Sequence, residues 1–414
     1  MKLNQIHIDQ IREDFRNMKS KEDLLVLLNA ANKILHDDKA KPFSLKALTY
    51  YSSPNLAKKR YRSFPIKKKS GGIRTIHAPV GGLKSIQRAL NLILQCVFEP
   101  HRAATGFIPQ KSIVDNAKVH LNQHYVYNID LKDFFPGIDQ ARIWKRLQFS
   151  PFDLNEKNNR LELANRIAAL CCTELEVERM DEQGEWIKVN RNVLPQGAPT
   201  SPTLTNIIAF RLDHKLSGLA RRFNLNYSRY ADDITFSSSH NVYQENSDFL
   251  NELHRIIADQ NFHINPKKTR LQKNGYRKEV TGLTVNQKVN VSRRYVKQIR
   301  MCLYYWEQYG YAKAYSIFLR DYKSDKGHVK KGNPDFTSVL DGKLLYLKMV
   351  KGVDDATYKG LKERFDKLVN HNNTNKSSSS DDEVVETILD IWENQGIEIA
   401  EKKLNQLTTW MREN

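Results

Sequence analysis

Two adjacent carboxylates, Asp232 and Asp233, stand between two short β-forming runs at 225–230 and 234–237. Neighbouring side chains on a strand point to opposite faces, so an acidic pair inside a strand would split its charge between core and solvent. Only a tight turn lets both acids serve one place. The pattern therefore predicts an antiparallel hairpin with an acidic tip. Asp130 adds a second constraint: it ends the apolar, strand-like run at 125–131 and is followed by Phe134 and Phe135. An unpaired charge is expensive to bury. A divalent cation shared by Asp130, Asp232 and Asp233 would satisfy all three, and magnesium favours such oxygen ligands with water and phosphate. Two such ions, roughly 3.5–4 Å apart, suit an in-line phosphoryl transfer. An acidic dipeptide alone fits an ordinary polar turn; its surroundings make this one specific.

Helices and strands alternate irregularly around that centre. Helical spacing runs through the first fifty residues and through 83–98, 139–149, 159–173, 203–222, 294–320 and 340–370. The segment Lys67-Lys68-Lys69-Ser70-Gly71-Gly72-Ile73-Arg74 leads into strand-like Thr75-Ile76-His77, and its glycine pair marks the turn of a hairpin with cationic arms. These elements imply an α+β class, an antiparallel sheet backed by helices. Residues 371–382 are polar and repetitive and read as a flexible linker, followed by helical spacing towards the end of the sequence.

The chain of 414 residues carries a formal charge of +19. Such an excess attracts polyanions, chiefly through phosphate contact. The last 39 residues run the other way, with nine acids to four bases, so nucleic acid is expected on the main body. Four cysteines without a C-x-x-C pair argue against a disulfide framework and a cysteine-ligated zinc. No segment reads as a signal peptide or a membrane span, which points to the cytoplasm.

Tyr230-Ala231-Asp232-Asp233 resembles the catalytic box of reverse transcriptases. Asn128-Ile129-Asp130-Leu131-Lys132-Asp133-Phe134-Phe135 resembles the box carrying their first metal-binding aspartate. Leu194-Pro195-Gln196-Gly197-Ala198-Pro199-Thr200-Ser201-Pro202 resembles the loop that lines their nucleotide pocket. The three follow one another in the family's order. The resemblance implies a right-hand polymerase fold, with fingers and palm over 51–290 and a helical thumb over 291–370. Outside these lie a basic helical extension (1–50), a linker (371–385) and a helical tail (386–414). The tail is read either as packed on the thumb or as docking on the body or a partner protein.

Site roles come from the same resemblance. Asp130, Asp232 and Asp233 would hold two Mg2+ ions, with the Leu131 carbonyl as a further ligand. Arg74 would pair with the incoming triphosphate through its forked donors, assisted by one of Lys67, Lys68 and Lys69. Phe135 would exclude a ribose 2′-hydroxyl while Phe134 packs in the core. Gln196 would meet nucleotide or template, and Gly197 would let backbone approach closely. Lys268 would assist pyrophosphate departure or be a plain surface lysine.

Asn116-Ala117-Lys118-Val119-His120 has the N-A-x-x-H form of bacterial retron reverse transcriptases, and Val280-Thr281-Gly282 matches their V-T-G signature. The resemblance makes Asn116, His120, Val280, Thr281 and Gly282 RNA-binding candidates. Asn116 and His120, four residues apart, also suit packing on one helix face. A retron enzyme copies part of a cognate structured noncoding RNA, primed from an RNA 2′-hydroxyl, and commonly acts in anti-phage defence. The implied partners are that RNA, its RNA–DNA hybrid, dNTPs and an effector protein. Two alternatives remain: another defence-associated or group II intron-like reverse transcriptase without 2′ branching, and an RNA-binding scaffold that sequesters an effector.

Overall fold

A computed structural model describes residues 3–53, 59–67, 71–326 and 332–371. The chain divides into two compact units, Met1–Val289 and Asn290–Asn414. Lys68 and Lys69, most of the expected linker and the whole expected tail lie outside the described residues.

The first unit opens with helices α1 (Gln5–Asn17), α2 (Lys21–His36) and α3 (Leu45–Ser52). Ser20 and Asp23 close a reciprocal capping box at the start of α2, satisfying amides that the first turn leaves unpaired. Leu24, Leu27, Leu28 and Ala31 then bury one helical face. With Ile11 and Phe15 they belong to the same core as the palm residues. The first fifty residues are thus built into the unit rather than appended to it.

Strands β1 (Tyr61–Lys67) and β2 (Ile73–Pro79) form the expected cationic hairpin. The apolar helix α4 (Gly81–Val97) and the short α5 (Ile113–Lys118) precede the central strand β3 (Tyr125–Asp130). Next come α6 (Gln140–Leu147), α7 (Leu161–Cys171) and a second hairpin, β4 (Thr173–Met180) with β5 (Trp186–Val193). Helix α8 (Ser201–Arg222) is buried on most sides, which explains why its sequence lacks a simple apolar stripe. Strands β6 (Asn226–Tyr230) and β7 (Asp233–Ser238), helix α9 (Asp248–Asp259) and strand β8 (Arg270–Gln272) follow. A two-residue pair, β9 (Glu279–Val280) and β10 (Leu283–Thr284), ends the unit.

The palm sheet has the order β6-β7-β3-β8 and is antiparallel throughout. Ile234 and Phe236 of β7 and Ile129 of β3 anchor it to the core.

The second unit is helical. Helix α10 (Arg293–Lys326) is interrupted at Gly310, whose φ of 77° and ψ of 170° a side chain would resist. It is joined by α11 (Phe336–Lys351) and a further helix over 356–371. Trp306 forms the aromatic centre with Tyr311, Phe336 and Phe365, and Arg364 grips Glu307 through two hydrogen bonds of 2.7 and 2.6 Å.

Candidate active site

The β6–β7 hairpin turns through Ala231 and Asp232, because Tyr230 pairs with Asp233 across the ladder. On the other side of β7, Asp233 pairs in register with Asp130. The Leu131 amide donates to the Asp232 carbonyl at 3.1 Å and locks the third acid to the same strand end. Like charges placed directly opposite destabilise a sheet. Their gathering here is a charged site, not a structural convenience.

The electrostatics agree. Asp233 keeps solvent access, yet surrounding protein mass and the charges of Asp232 and Asp130 push its pKa up to about 6. Desolvation, reinforced by Asp130, raises Asp232 as well, while Lys268 and Arg74 pull it back. Arg74, exposed on β2, therefore projects its field onto the acidic tip. Asp130 is closed by two partners: Lys268 Nζ at 2.6 Å and the Asn265 side-chain amide at 3.0 Å.

The loop at 194–202 reaches the same neighbourhood through β2. The His77 amide donates to the Gln196 carbonyl at 2.9 Å. Gly197 has a φ of 127°, and a Cβ there would lie 2.7 Å from Ile76 Cγ2 and 2.9 Å from the His77 carbonyl. Only glycine fits that approach. Phe134 is buried against Phe262, whereas Phe135 is half-buried and faces Phe107, which in turn faces Tyr230.

The five RNA-binding candidates differ sharply in exposure. Asn116 and His120 are fully buried. The ring nitrogens of His120 meet Ser237 Oγ and Ser228 Oγ, each at 2.7 Å, bridging β7 and β6. Asn116 Oδ1 accepts from Thr105 Oγ1 at 2.8 Å. Both therefore pack beneath the acidic hairpin, with their side chains buried in this fold. Val280 is also buried and pairs with Leu283. Thr281 and Gly282 form the intervening two-residue turn, both at positive φ, as tight hairpins require. Thr281 Oγ1 donates to the Ile113 carbonyl at 3.4 Å, so the two short motifs adjoin. Gly282 alone of the five is exposed.

A family model described as reverse transcriptase (RNA-dependent DNA polymerase) matches residues 66–292, which include every acid above. The chain belongs to the reverse transcriptase family. It is 34% identical over 311 residues to the Retron Mx65 reverse transcriptase of Myxococcus xanthus, covering 74% of this chain and 66% of that one. Against the Retron Mx162 reverse transcriptase of the same organism it is 35% identical over 263 residues, with 59% and 52% covered. The Retron Ec86 reverse transcriptase of Escherichia coli is 33% identical over 247 residues, with 58% and 68% covered. These relatives make the chain a retron-type member, although it spans only 66% and 52% of the two Myxococcus proteins. Solved structures are more remote. A Candida albicans telomerase with a telomeric RNA fragment has a TM-score of 0.38 at 13% identity, covering 79% of this chain and 68% of that one. A foamy viral protease–reverse transcriptase with double-stranded DNA has 0.33 at 16%, covering 75% and 43%.

Reverse transcriptases use divalent metal ions, and the donor set of this family member fits them. Three carboxylates gathered at adjoining strand ends and their turn, two of them with raised pKa values and only partly offset by Lys268 and Arg74, are a negative cluster of the kind a hard cation neutralises. Among the described residues no three acidic, histidine or cysteine side chains are gathered closely enough to hold an ion as they stand, and Asp130 is turned to Lys268 and Asn265. No helix among the described residues is long and apolar enough to cross a membrane.

Sequence reasoning passed over Asn265, Gly106 and the buried pair Arg229–Asp213. The last had a readable signal: a charge inside the β-run Asn226-Tyr227-Ser228-Arg229-Tyr230 needs a partner, by the argument already applied to Asp130.

Proposed function

We propose that the chain is an RNA-directed DNA polymerase of retron type, which copies part of a cognate structured noncoding RNA from an RNA 2′-hydroxyl. The observation that carries this reading is the register of Asp130 opposite Asp233, with Asp232 in the adjoining turn. Asp130, Asp232 and Asp233, with the Leu131 carbonyl, would hold two Mg2+ ions. Magnesium, when bound, activates the primer hydroxyl and screens the triphosphate. Arg74 steers the triphosphate to the acidic tip from β2. Half-buried Phe135 presents an aromatic wall where a 2′-hydroxyl would stand, favouring dNTPs. Gln196 and Gly197 seat the nucleotide against β2, and Lys268 assists the departure of pyrophosphate. Anti-phage defence in the cytoplasm, with an effector protein, is the setting its retron kinship suggests.

The test is DNA synthesis by the full-length protein with its co-purifying RNA, dNTPs and Mg2+, analysed before and after RNase. A DNA product that keeps a 2′-linked ribonucleotide stub, lost in Asp232→Asn and Asp233→Asn, is the expected result. Linear DNA without that branch would keep the polymerase and remove the retron priming step. No DNA on any template or primer would remove the polymerase.

A further inference from the structure

Beneath the acidic turn lies a hydrogen-bonded group to which no role has been given. Arg229 on β6 is fully buried, as is Asp213 on α8. The guanidinium donates from Nε to Asp213 Oδ1 at 2.8 Å and from Nη2 to Asp213 Oδ2 at 2.6 Å. Nη2 also donates to Asn206 Oδ1 at 3.1 Å, and Nη1 donates to the carbonyl of Ala231 at 3.0 Å. Asn206 in turn donates to the Gly106 carbonyl at 2.9 Å. Gly106 lies hard against the turn from the other side, where a Cβ would come within 2.6 Å of the Ala231 amide nitrogen. Tyr227 completes the group by donating to Asp213 Oδ1 at 2.7 Å.

Ala231 is held in the left-handed region at a φ of 57°. For a residue with a Cβ that conformation costs roughly 1–2 kcal/mol and persists only where the surroundings over-determine it. The surroundings here are the Arg229 donor on its carbonyl and the Gly106 backbone on its amide. The peptide that bears the Ala231 carbonyl leads directly into Asp232, so its orientation sets the direction from which the Asp232 side chain departs. A buried Arg–Asp pair is a weak means of stabilising a fold, since apolar residues of equal volume commonly do as well. A lysine could neutralise Asp213, but its single nitrogen cannot span Asp213, Asn206 and Ala231 together.

We infer that Arg229, locked by Asp213 and Asn206, is a positioning residue that aims the Asp232 carboxylate at the metal site by gripping the Ala231 carbonyl. The inference rests on the proposed reading of that site and adds a supporting layer to it. Supporting residues around metal ligands commonly govern metal affinity more than they govern folding.

The experiment titrates Mn2+ into full-length protein without nucleotide, following free Mn2+ by electron paramagnetic resonance. Hydrogen exchange of the 226–236 segment and Tm are recorded on the same samples. Arg229→Lys is expected to weaken Mn2+ binding about tenfold and to speed exchange at the turn. The half-saturating Mg2+ concentration for DNA synthesis should rise in parallel, with little change in KM for dNTP. Should Arg229→Lys fail to fold, Asn206→Ser, which keeps the Arg229–Asp213 pair but loosens the grip, must show the same direction. A folded variant with wild-type Mn2+ affinity and turn exchange overturns the inference. So does a loss of synthesis that tracks Tm while metal dependence stays fixed. Wild-type Mn2+ binding indifferent to Asp232→Asn would sink the metal-site reading itself, and the inference with it.

Discussion

Lys268 Nζ stands 2.6 Å from Asp130 Oδ1, an ammonium on a carboxylate expected to hold a metal. The lysine side chain is 57% exposed, so the pair is worth at most about 1 kcal/mol and yields to a divalent ion. Removing it should separate two effects. Lys268→Ala is expected to tighten nucleotide-free Mn2+ binding by up to about fivefold, since a competing cation is gone. On the role proposed for Lys268 in pyrophosphate departure, the same change should slow DNA synthesis. Weaker metal binding in the variant would mean that Lys268 orients Asp130 for the ion and does not compete with it.

Asp233 predicts a pH dependence of the metal-free protein. Its folded pKa is raised from 3.8 to about 6, so the folded state holds a proton that the unfolded chain has already released. Its contribution to stability is present below about pH 4 and lost as pH rises through 6. With EDTA present, the Tm of Asp233→Asn should therefore climb relative to wild type between pH 4 and 7. Mg2+ at neutral pH should raise wild-type Tm more than that of the variant. Parallel Tm curves would show that the carboxyl is not crowded by its neighbours.

His120 carries the opposite sign. Burial pushes its pKa down to about 3, while the unfolded chain binds a proton near 6.5. Stability is then full above 6.5 and falls on acidification by about 1.4 kcal/mol per pH unit until the folded pKa is reached. His120→Gln should flatten that slope between pH 6.5 and 5 in denaturant titrations. At pH 8 it should cost about 1–3 kcal/mol by stranding the Ser228 and Ser237 hydroxyls. Affinity for the cognate RNA should survive in the folded variant; a selective loss of RNA binding would restore His120 to the RNA interface.

The acidic tip was legible because its chemistry and its backbone demand coincide: two adjacent acids serve one place only in a turn. Strand β3 and helix α4 were readable for a similar reason, since each has an apolar run with clear period and definite ends. The β4–β5 hairpin was not recognised. Its sequence alternates, as in Thr173-Glu174-Leu175-Glu176-Val177, but it is mostly exposed and the apolar face is thin. The short motif at 116–120 left two readings open, RNA contact and helix-face packing, for a different reason. The partners that His120 finds in the fold, Ser228 and Ser237, lie about 110 residues away in sequence. The Arg229 grip is equally non-local, joining β6, α8 and the Gly106 loop.

Gly197 offers the sharpest test of the nucleotide pocket. An added methyl would meet Ile76 Cγ2 at 2.7 Å and the His77 carbonyl at 2.9 Å, and the second is backbone that cannot swing aside. Its φ of 127° further strains any residue with a Cβ. Gly197→Ala must therefore lift the loop from β2 and break the bond from the His77 amide to the Gln196 carbonyl. Gln196 on the loop and Arg74 on β2, both proposed to meet the nucleotide, would lose their mutual placement. A misplacement of about 1 Å in a positioning group can cost on the order of 100-fold in rate. The expected outcome is a loss of that order in kcat/KM for single dNTP addition, with Mn2+ affinity of the free protein unchanged because the acids sit on other strands. If addition persists at the wild-type rate, the 194–202 loop does not line the pocket. If Mn2+ binding collapses as well, the loop and the palm acids form one cooperative unit, and the roles assigned to Gln196 and Gly197 belong to the metal site instead.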